Sequence, residues 1–186
     1  VSDAGMPAIS DPGEDLVRKC RQADVEIESV PGPTAVATAL SISGFPTKRF
    51  CFEGFLSVGK KERQEHLEEI KTEKRTMIFY EAPHKLKATL KDMLEILGNR
   101  EIALVKELTK IHEDVFITTF EDALLFYEEN PPKGEFVVII KGANKEKEIY
   151  TLSDAVKIAK DLTEKGESAS FSAKEAAKIT GIKKGD

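Results

Sequence analysis

The chain has 186 residues, 33% charged and 40% hydrophobic, with 12 Gly, 8 Pro and no Trp, a balance that excludes collagen-like and wholly disordered polymers. Its 33 acidic against 28 basic residues give a formal charge of -5, which excludes a uniformly basic coat for nonspecific nucleic-acid binding but allows a local basic patch. Cys20 and Cys51 form no C-x-x-C pair and His66, His84 and His112 are scattered, so neither a disulfide framework nor a metal site is expected, and the cysteines read as reduced packing residues. The longest apolar runs are too short to cross a bilayer and no targeting segment is recognisable, so a cytoplasmic protein that avoids membranes is expected.

In chain order, apolar periodicity predicts a helix over 13–23 and a strand over 25–30. Pro33 suits the first turn of a helix running to Ser43, and Gly44-Phe45-Pro46 reads as a lobe boundary. Beyond it come a strand at 49–55, a charged helix at 60–71, a strand at 76–80 and a helix at 83–97 closed by Gly98. Strands at 101–107 and 115–119, a helix at 121–129 and an apolar strand at 136–141 complete an α/β pattern, in which 76–80 and 136–140 read as covered on both faces. Residues 143–186 carry 9 Lys against 8 Asp plus Glu and no strand signal; helices at 153–163 and 172–179, the second opened by Ser172-Ala173-Lys174-Glu175, predict a short helical tail.

Three features carry possible chemistry. Gly54 to Lys60 has the G-x-x-x-x-G-K spacing of a phosphate-binding loop between strand and helix, but Lys61 stands where a magnesium-holding hydroxyl is needed, so a plain connection is preferred over nucleotide binding. The loops 3–13 and 31–35 each lead into a helix, with glycines that admit a ligand to the backbone and prolines that stiffen it; two such loops favour a ligand cleft. Tyr80-Glu81-Ala82-Pro83-His84, Glu107 to Glu113 and Lys133-Gly134-Glu135 put acids, histidine and lysines at strand ends, where this fold class places its chemistry, although solvated surface charge is an equal reading. The interleaved charges of 60–75 read as an exposed helix face held by weak pairs.

Taken in order, Ser2 to Gly13, Pro31-Gly32-Pro33-Thr34-Ala35, Arg49 to Leu56, Phe79 to Lys85, Glu107-Leu108-Thr109-Lys110 and Lys133-Gly134-Glu135 closely resemble the ribosomal RNA small-subunit methyltransferase I family of the tetrapyrrole methylase superfamily. The resemblance runs from Val1 to about Gly142, departing at Met6, where Thr is usual, and Ala8, where Gly is common. It implies a two-lobed α/β fold with S-adenosyl-L-methionine between the lobes, a homodimer, and methylation of a cytidine ribose 2′-hydroxyl in small-subunit ribosomal RNA, in an assembled particle or free. Ring methylation of a precorrin-type tetrapyrrole is the nearest enzymatic alternative, and a noncatalytic RNA-binding module is a third class. Because the family's first segment, with its Pro-Thr-Pro-Ile-Gly-Asn-Leu loop, has no counterpart, residues 1–44 are expected to be the end of an incomplete first lobe, 45–142 a second lobe, and 143–186 a truncated helical extension.

Carried over residue by residue, the resemblance implies cofactor contacts from Asp3, Ala4, Gly5, Pro7, Asp11, Pro31, Gly32, Pro33, Thr34, Ala35, Tyr80, Glu81, Gly134 and Glu135. Glu107 and Glu81 are the leading candidates to accept the ribose proton, then His84, with Lys110 as electrostatic helper; efficient base work calls for carboxyl pKa values raised by burial. Lys48, Arg49, Lys60, Lys61, Arg63, Lys85 and Lys87 are candidate phosphate contacts.

Overall fold

The computed structural model describes residues 5–143 and 151–182. Two units are distinguished, Val1–Asn144 and Lys145–Asp186. In the first, α1 (Glu14–Gln22) and α2 (Ala35–Ile42) precede β1 (Phe50–Phe55), α3 (Lys60–Glu69), β2 (Thr76–Glu81), α4 (Pro83–Leu97), β3 (Glu101–Lys106), β4 (Asp114–Thr119), α5 (Phe120–Glu129) and β5 (Phe136–Ile140).

The strands form one sheet in the order β1-β2-β5-β3-β4. β1 and β2 are parallel, whereas β5 is antiparallel to both of its neighbours and β4 is antiparallel to β3. The C-terminal ends of β1, β2 and β3 therefore share one edge with the beginnings of β4 and β5, as the pairings Glu81 with Phe136 and Lys106 with Asp114 require. Within this unit, the β1–α3, β2–α4, β3–β4 and α5–β5 connections all lie at that edge.

Alternation along the strands divides the core into two layers. Met77, Phe79, Leu104, Val138 and Ile140 face one side, where Leu67 of α3, Leu86, Leu90 and Met93 of α4, and Ala123 of α5 cover them. Ile78, Ala103, Val105, Val137 and Ile139 face the other, covered by Val36, Ala39 and Leu40 of α2 with Phe45. This is why β5 is apolar at every position: Phe136 to Ile140 are all buried. In α4, Leu86, Leu90, Met93 and Leu97 fall three or four residues apart on the inner face, each worth about 1.5–3 kcal/mol when fully buried. Pro83 opens that helix and Gly98, at φ +78, closes it.

Two local expectations are corrected here. Residues 25–30 form no strand; Val25 and Val30 are exposed, and no described strand pairs with the segment, so its backbone has no ladder to join. Pro33 lies before rather than within the first turn of α2, because Thr34 is the cap: its Oγ1 accepts from the Ala37 N–H.

The second unit pairs α6 (Leu152–Glu164) with α7 (Ala169–Thr180), and Ala155, Ser172 and Ala176 are buried. A reciprocal capping box opens α6, in which Thr151 N donates to Asp154 Oδ2 at 2.8 Å and Asp154 N donates to Thr151 Oγ1 at 3.3 Å. The predicted start of the last helix at Ser172 is one turn late. Ser168 caps α7, and the Ser172 N–H donates to the Ser168 carbonyl at 2.9 Å, placing Ser172 inside the helical ladder.

Candidate functional site

A cleft of about 530 Å³ opens at the sheet edge identified above, within the range of small-molecule sites, about 300–1,000 Å³. One wall is made by the two turn-rich loops. Met6 N donates to the Pro33 carbonyl at 3.0 Å, and a Cβ on Gly5 would stand 2.2 Å from that same oxygen, so only glycine lets the loops close together. Gly32 supports the junction from beneath, 3.5 Å from the Gly5 carbonyl carbon when given a Cβ. Ala8, at φ +69, and Ser10, at φ +54, hold left-handed conformations in the first loop, which explains why glycine suits position 8.

Tyr80 crosses from the sheet to this wall. Its hydroxyl accepts from the Val36 N–H at 3.2 Å, and the Phe52 and Phe55 rings pack edge-on against it with centroids 4.9 and 5.5 Å away. Burial pushes the Tyr80 phenol above its ordinary pKa, so it stays neutral. Next to it Glu81 is buried, with both carboxylate oxygens engaged: Ala82 N donates to Oε1 at 2.8 Å and Thr89 Oγ1 donates to Oε2 at 2.5 Å.

The opposite wall is a charge cluster. Glu107 sits in a left-handed conformation, φ +49, at the end of β3, and its Oε1 accepts from the Glu135 N–H at 3.1 Å and from Lys110 Nζ at 3.2 Å. Its main-chain N–H donates to the Glu135 carbonyl at 3.2 Å, tying the two connections together. Lys110 also approaches Glu135 Oε2 at 3.8 Å. The Glu135 N–H, followed by the Lys110 ammonium, holds the Glu107 carboxyl below its usual carboxylate range, the reverse of the rise expected for a strong base. Glu81, Glu107 and Glu135 against Lys110 leave the lining acidic, which suits a ligand carrying positive charge.

Of the residues predicted for the site, Gly5, Pro33, Thr34, Ala35, Tyr80, Glu81, Glu107, Lys110 and Glu135 line the one cleft. Gly134 lies directly under the Glu107 side chain. Pro7, Asp11, Pro31 and Gly32 belong to the loop wall without lining the cleft, and Asp11 Oδ2 is buried with no partner among the described residues. His84 is exposed on the first turn of α4, outside the lining. Asp3 and Ala4 lie outside the described residues. Ser10, Thr38, Phe55, Leu108 and Thr109 line the cleft but are not singled out by sequence reasoning; only Gly54 inside an aromatic strand marks a bulge that could have pointed to Phe55.

Two further stretches of the sequence take structural roles. The Gly54 to Lys60 connection is filled by its own side chains, since a Cβ on Gly59 would meet Glu62 Oε2 at 2.0 Å and Arg63 Nη1 donates to the Ser57 and Val58 carbonyls, both at 3.1 Å. A carboxylate in that position opposes phosphate. Arg63 is not a free phosphate contact either: its guanidinium binds Asp92 Oδ2, with Nε donating at 2.7 Å, and the pair is nearly buried. Lys48, Arg49, Lys60, Lys61 and Lys87 are exposed and Lys85 half-buried; none lines the cleft. No His, Cys, Asp and Glu cluster with metal-site geometry and no helix long and apolar enough to cross a membrane occurs among the described residues.

Comparison with known proteins places this geometry. The chain is 49% identical over 147 residues to "Ribosomal RNA small subunit methyltransferase I" of Synechocystis sp., covering 78% of this chain and 53% of that protein. The namesake of Thermotoga maritima is 45% identical over 142 residues, covering 76% and 64%, and that of Xylella fastidiosa 44% identical over 189 residues, covering 97% and 67%. The chain thus spans roughly half to two thirds of the length of these relatives. Solved structures with the same fold include the methyltransferase CobJ, at TM-score 0.58 and 20% identity over 75% of this chain and 62% of that one. A uroporphyrin-III-C-methyltransferase from Thermus thermophilus follows at TM-score 0.51 and 22% identity, covering 73% and 60%. The family model described as Tetrapyrrole (Corrin/Porphyrin) Methylases matches residues 1–124, two thirds of the chain, and the chain belongs to the tetrapyrrole methylase family.

Proposed function

We propose that the chain acts as an S-adenosyl-L-methionine-dependent methyltransferase that methylates a ribose 2′-hydroxyl, that of a cytidine, in small-subunit ribosomal RNA. The observation that carries this reading is the meeting of the 5–13 and 31–35 loops with Tyr80, Glu107, Lys110 and Glu135 around one acidic cleft, in a chain whose relatives at 44–49% identity bear that RNA-methyltransferase name. The methyltransferase CobJ and the uroporphyrin-III-C-methyltransferase share only the fold at this level of identity.

The cleft fits the cofactor. Its glycine-tight loop junction offers backbone groups, the lining is largely apolar with few polar anchors, and the surplus of carboxylates complements a sulfonium. Gly5, Pro33 to Ala35 and Tyr80 would form one side of its seat, Glu135 the other. Pro7, Asp11, Pro31, Gly32 and Gly134 would support that seat, and Asp3 and Ala4 are proposed as further cofactor contacts. When bound, the cofactor supplies an electrophilic methyl carbon, so the protein's task is to hold a hydroxyl oxygen in line with it and remove one proton.

Glu107 is the residue proposed for that proton. It is ionised at neutral pH, Oε1 is anchored by Glu135 N and Lys110, and Oε2 has no partner among the described residues. Its depressed pKa is compatible with the role, because a hydroxyl becomes strongly acidic as its oxygen acquires the methyl group, and a weak base then suffices. Glu81, with both oxygens engaged, orients the start of α4 and the cleft floor. His84 serves, on this reading, as an outer contact for RNA together with the exposed lysines.

We also assign residues 1–44 to the end of a first lobe, 45–142 to a second and 143–186 to an extension, in a cytoplasmic homodimer. Titration of the protein with S-adenosylhomocysteine, then transfer of labelled methyl to small-subunit particles and to free ribosomal RNA, tests the reading. Label in a cytidine ribose is the expected result. Failure to bind S-adenosylhomocysteine, or transfer only to a tetrapyrrole, would overturn it.

A further inference from the structure

Strand β1 contains one residue too many for its partner. Cys51 pairs with Met77 and Phe52 with Ile78, but Gly54 pairs with Phe79 and Phe55 with Tyr80, so the register slips between Phe52 and Gly54. Gly54 adopts φ +67, a conformation that favours glycine at such a bulge. The extra residue, Glu53, turns to the helix-covered side, where its Oε2 lies 3.0 Å from His66 Nε2 of α3.

The consequence falls on Phe55. In a regular strand, Phe52 and Phe55 would point to opposite faces. The bulge restores them to the same face, flanking Tyr80 with centroids 4.9 and 5.5 Å from its ring. Phe52 is half-buried beneath, whereas Phe55 is 56% exposed and lines the cleft. The first loop braces the bulge from outside: Ser10 Oγ lies 3.4 Å from where a Gly54 Cβ would be.

We propose that Phe55 is the stacking platform for the nucleobase of the acceptor nucleotide, an inference that rests on the RNA-methyltransferase reading above. Its ring is rigidly held through Tyr80, whose hydroxyl is itself pinned by Val36 N. More than half of the Phe55 surface stays exposed to solvent where it lines the cleft, as in single-stranded nucleic-acid sites that hold an unstacked base on an aromatic ring. The cofactor's adenine is the other planar group of the same chemistry. A small cofactor is largely enclosed by its site, whereas an acceptor within a polymer must leave its chain outside, and the more than half-exposed ring at the rim matches the second.

The test is steady-state methyl transfer to small-subunit particles by the intact protein, with S-adenosylhomocysteine affinity measured by calorimetry. Phe55→Ala should raise KM for RNA about ten- to a hundredfold while leaving the S-adenosylhomocysteine Kd within about twofold. Phe55→Tyr and Phe55→Trp should restore KM, and Phe55→Leu should not. Gly54→Ala, with an unchanged ring but a disfavoured bulge, should raise KM in the same direction. Parallel weakening of S-adenosylhomocysteine would assign the ring to adenine and overturn the proposal, as would full rescue by leucine or an unchanged KM in a folded Phe55→Ala protein. A wild-type protein that binds S-adenosylhomocysteine but does not methylate RNA overturns both the RNA reading and the platform. Normal wild-type methylation with indifferent Phe55 variants overturns the platform alone.

Discussion

Glu107 lies across the main chain of Gly134: a Cβ on Gly134 would stand 2.4 Å from Glu107 Oε1 and 2.5 Å from its Cγ, and Gly134 itself has φ +79. The glycine thus supplies the floor on which the carboxylate rests. Gly134→Ala is expected to cost about 1–2 kcal/mol of stability from the left-handed backbone alone. By displacing Glu107 it should also lower kcat about a hundredfold. Thermal melts alongside single-turnover kinetics separate the two effects, and a kcat loss no greater than that caused by an equally destabilising core variant would remove Glu107 from the reaction.

The depressed pKa of Glu107 sets the sign of a pH effect. Its folded pKa lies below the unfolded value of about 4.5, so its contribution to stability is fully present above that value and disappears as pH falls through the folded pKa. The stability difference between the native protein and Glu107→Gln should be constant from pH 6 to 8 and shrink below about pH 4.5. Urea unfolding across that range measures it. A difference that grew on acidification would contradict the hydrogen bonds from Glu135 and Lys110.

Among the described residues, Thr89 is the one side-chain partner of the buried Glu81 carboxylate, donating to Oε2 at 2.5 Å. Thr89→Val should destabilise by about 1–3 kcal/mol by leaving a buried acceptor unpaired, whereas Thr89→Ser should recover most of that loss. Equal stability of the two variants in denaturant titrations would mean that the hydroxyl contributes little.

Arg63 and Asp92 form a pair whose side chains retain only 14% and 10% of their exposure, and Arg63 also binds the two carbonyls preceding α3. Removing one partner, as in Asp92→Ala, should cost about 3–5 kcal/mol because the other charge is left desolvated. The double variant Arg63→Met/Asp92→Leu should be less damaged than Asp92→Ala. Chemical denaturation of all three checks the order.

Cys51 is half-buried on β1, and burial, followed by the hydrogen bond and charge of Glu53, pushes its thiol up to about 12. It should resist iodoacetamide at pH 8 in the folded protein and react on unfolding. Mass spectrometry of the alkylated peptide provides the measurement; rapid native-state labelling would show that the thiol is not held in this way.

The strands of the sheet are legible in the sequence because β2 and β5 are apolar on both faces and α4 carries both of its punctuating residues, Pro83 and Gly98. The segment 25–30 has the same β-branched composition, yet strand formation needs a hydrogen-bonding neighbour, which composition does not report. Glu107 and Glu135 are far apart in the chain and meet only because β3 and β5 pair in antiparallel register, from Ile102 with Ile140 to Lys106 with Phe136. Family motifs could mark both residues but not the hydrogen bond between them, nor the direction in which it moves the Glu107 pKa. The place of Phe55 in the cleft is not legible in the sequence because its orientation depends on a bulge, and ordinary alternation puts it on the wrong face. Arg63 resembles its exposed neighbours in sequence, and only Asp92, two turns along another helix, distinguishes it.

The place of β5 between β2 and β3 bears on amide hydrogen exchange. Its five residues are buried and bonded on both sides, so their amides should exchange only when the whole unit unfolds. Since Phe136 and Val137 also form part of the cleft lining, the base of the cleft belongs to the slowest-exchanging structure, while the 5–13 and 107–113 loops at its sides can open locally. A ligand would then gain its protection signature at the rim, against a base that does not change.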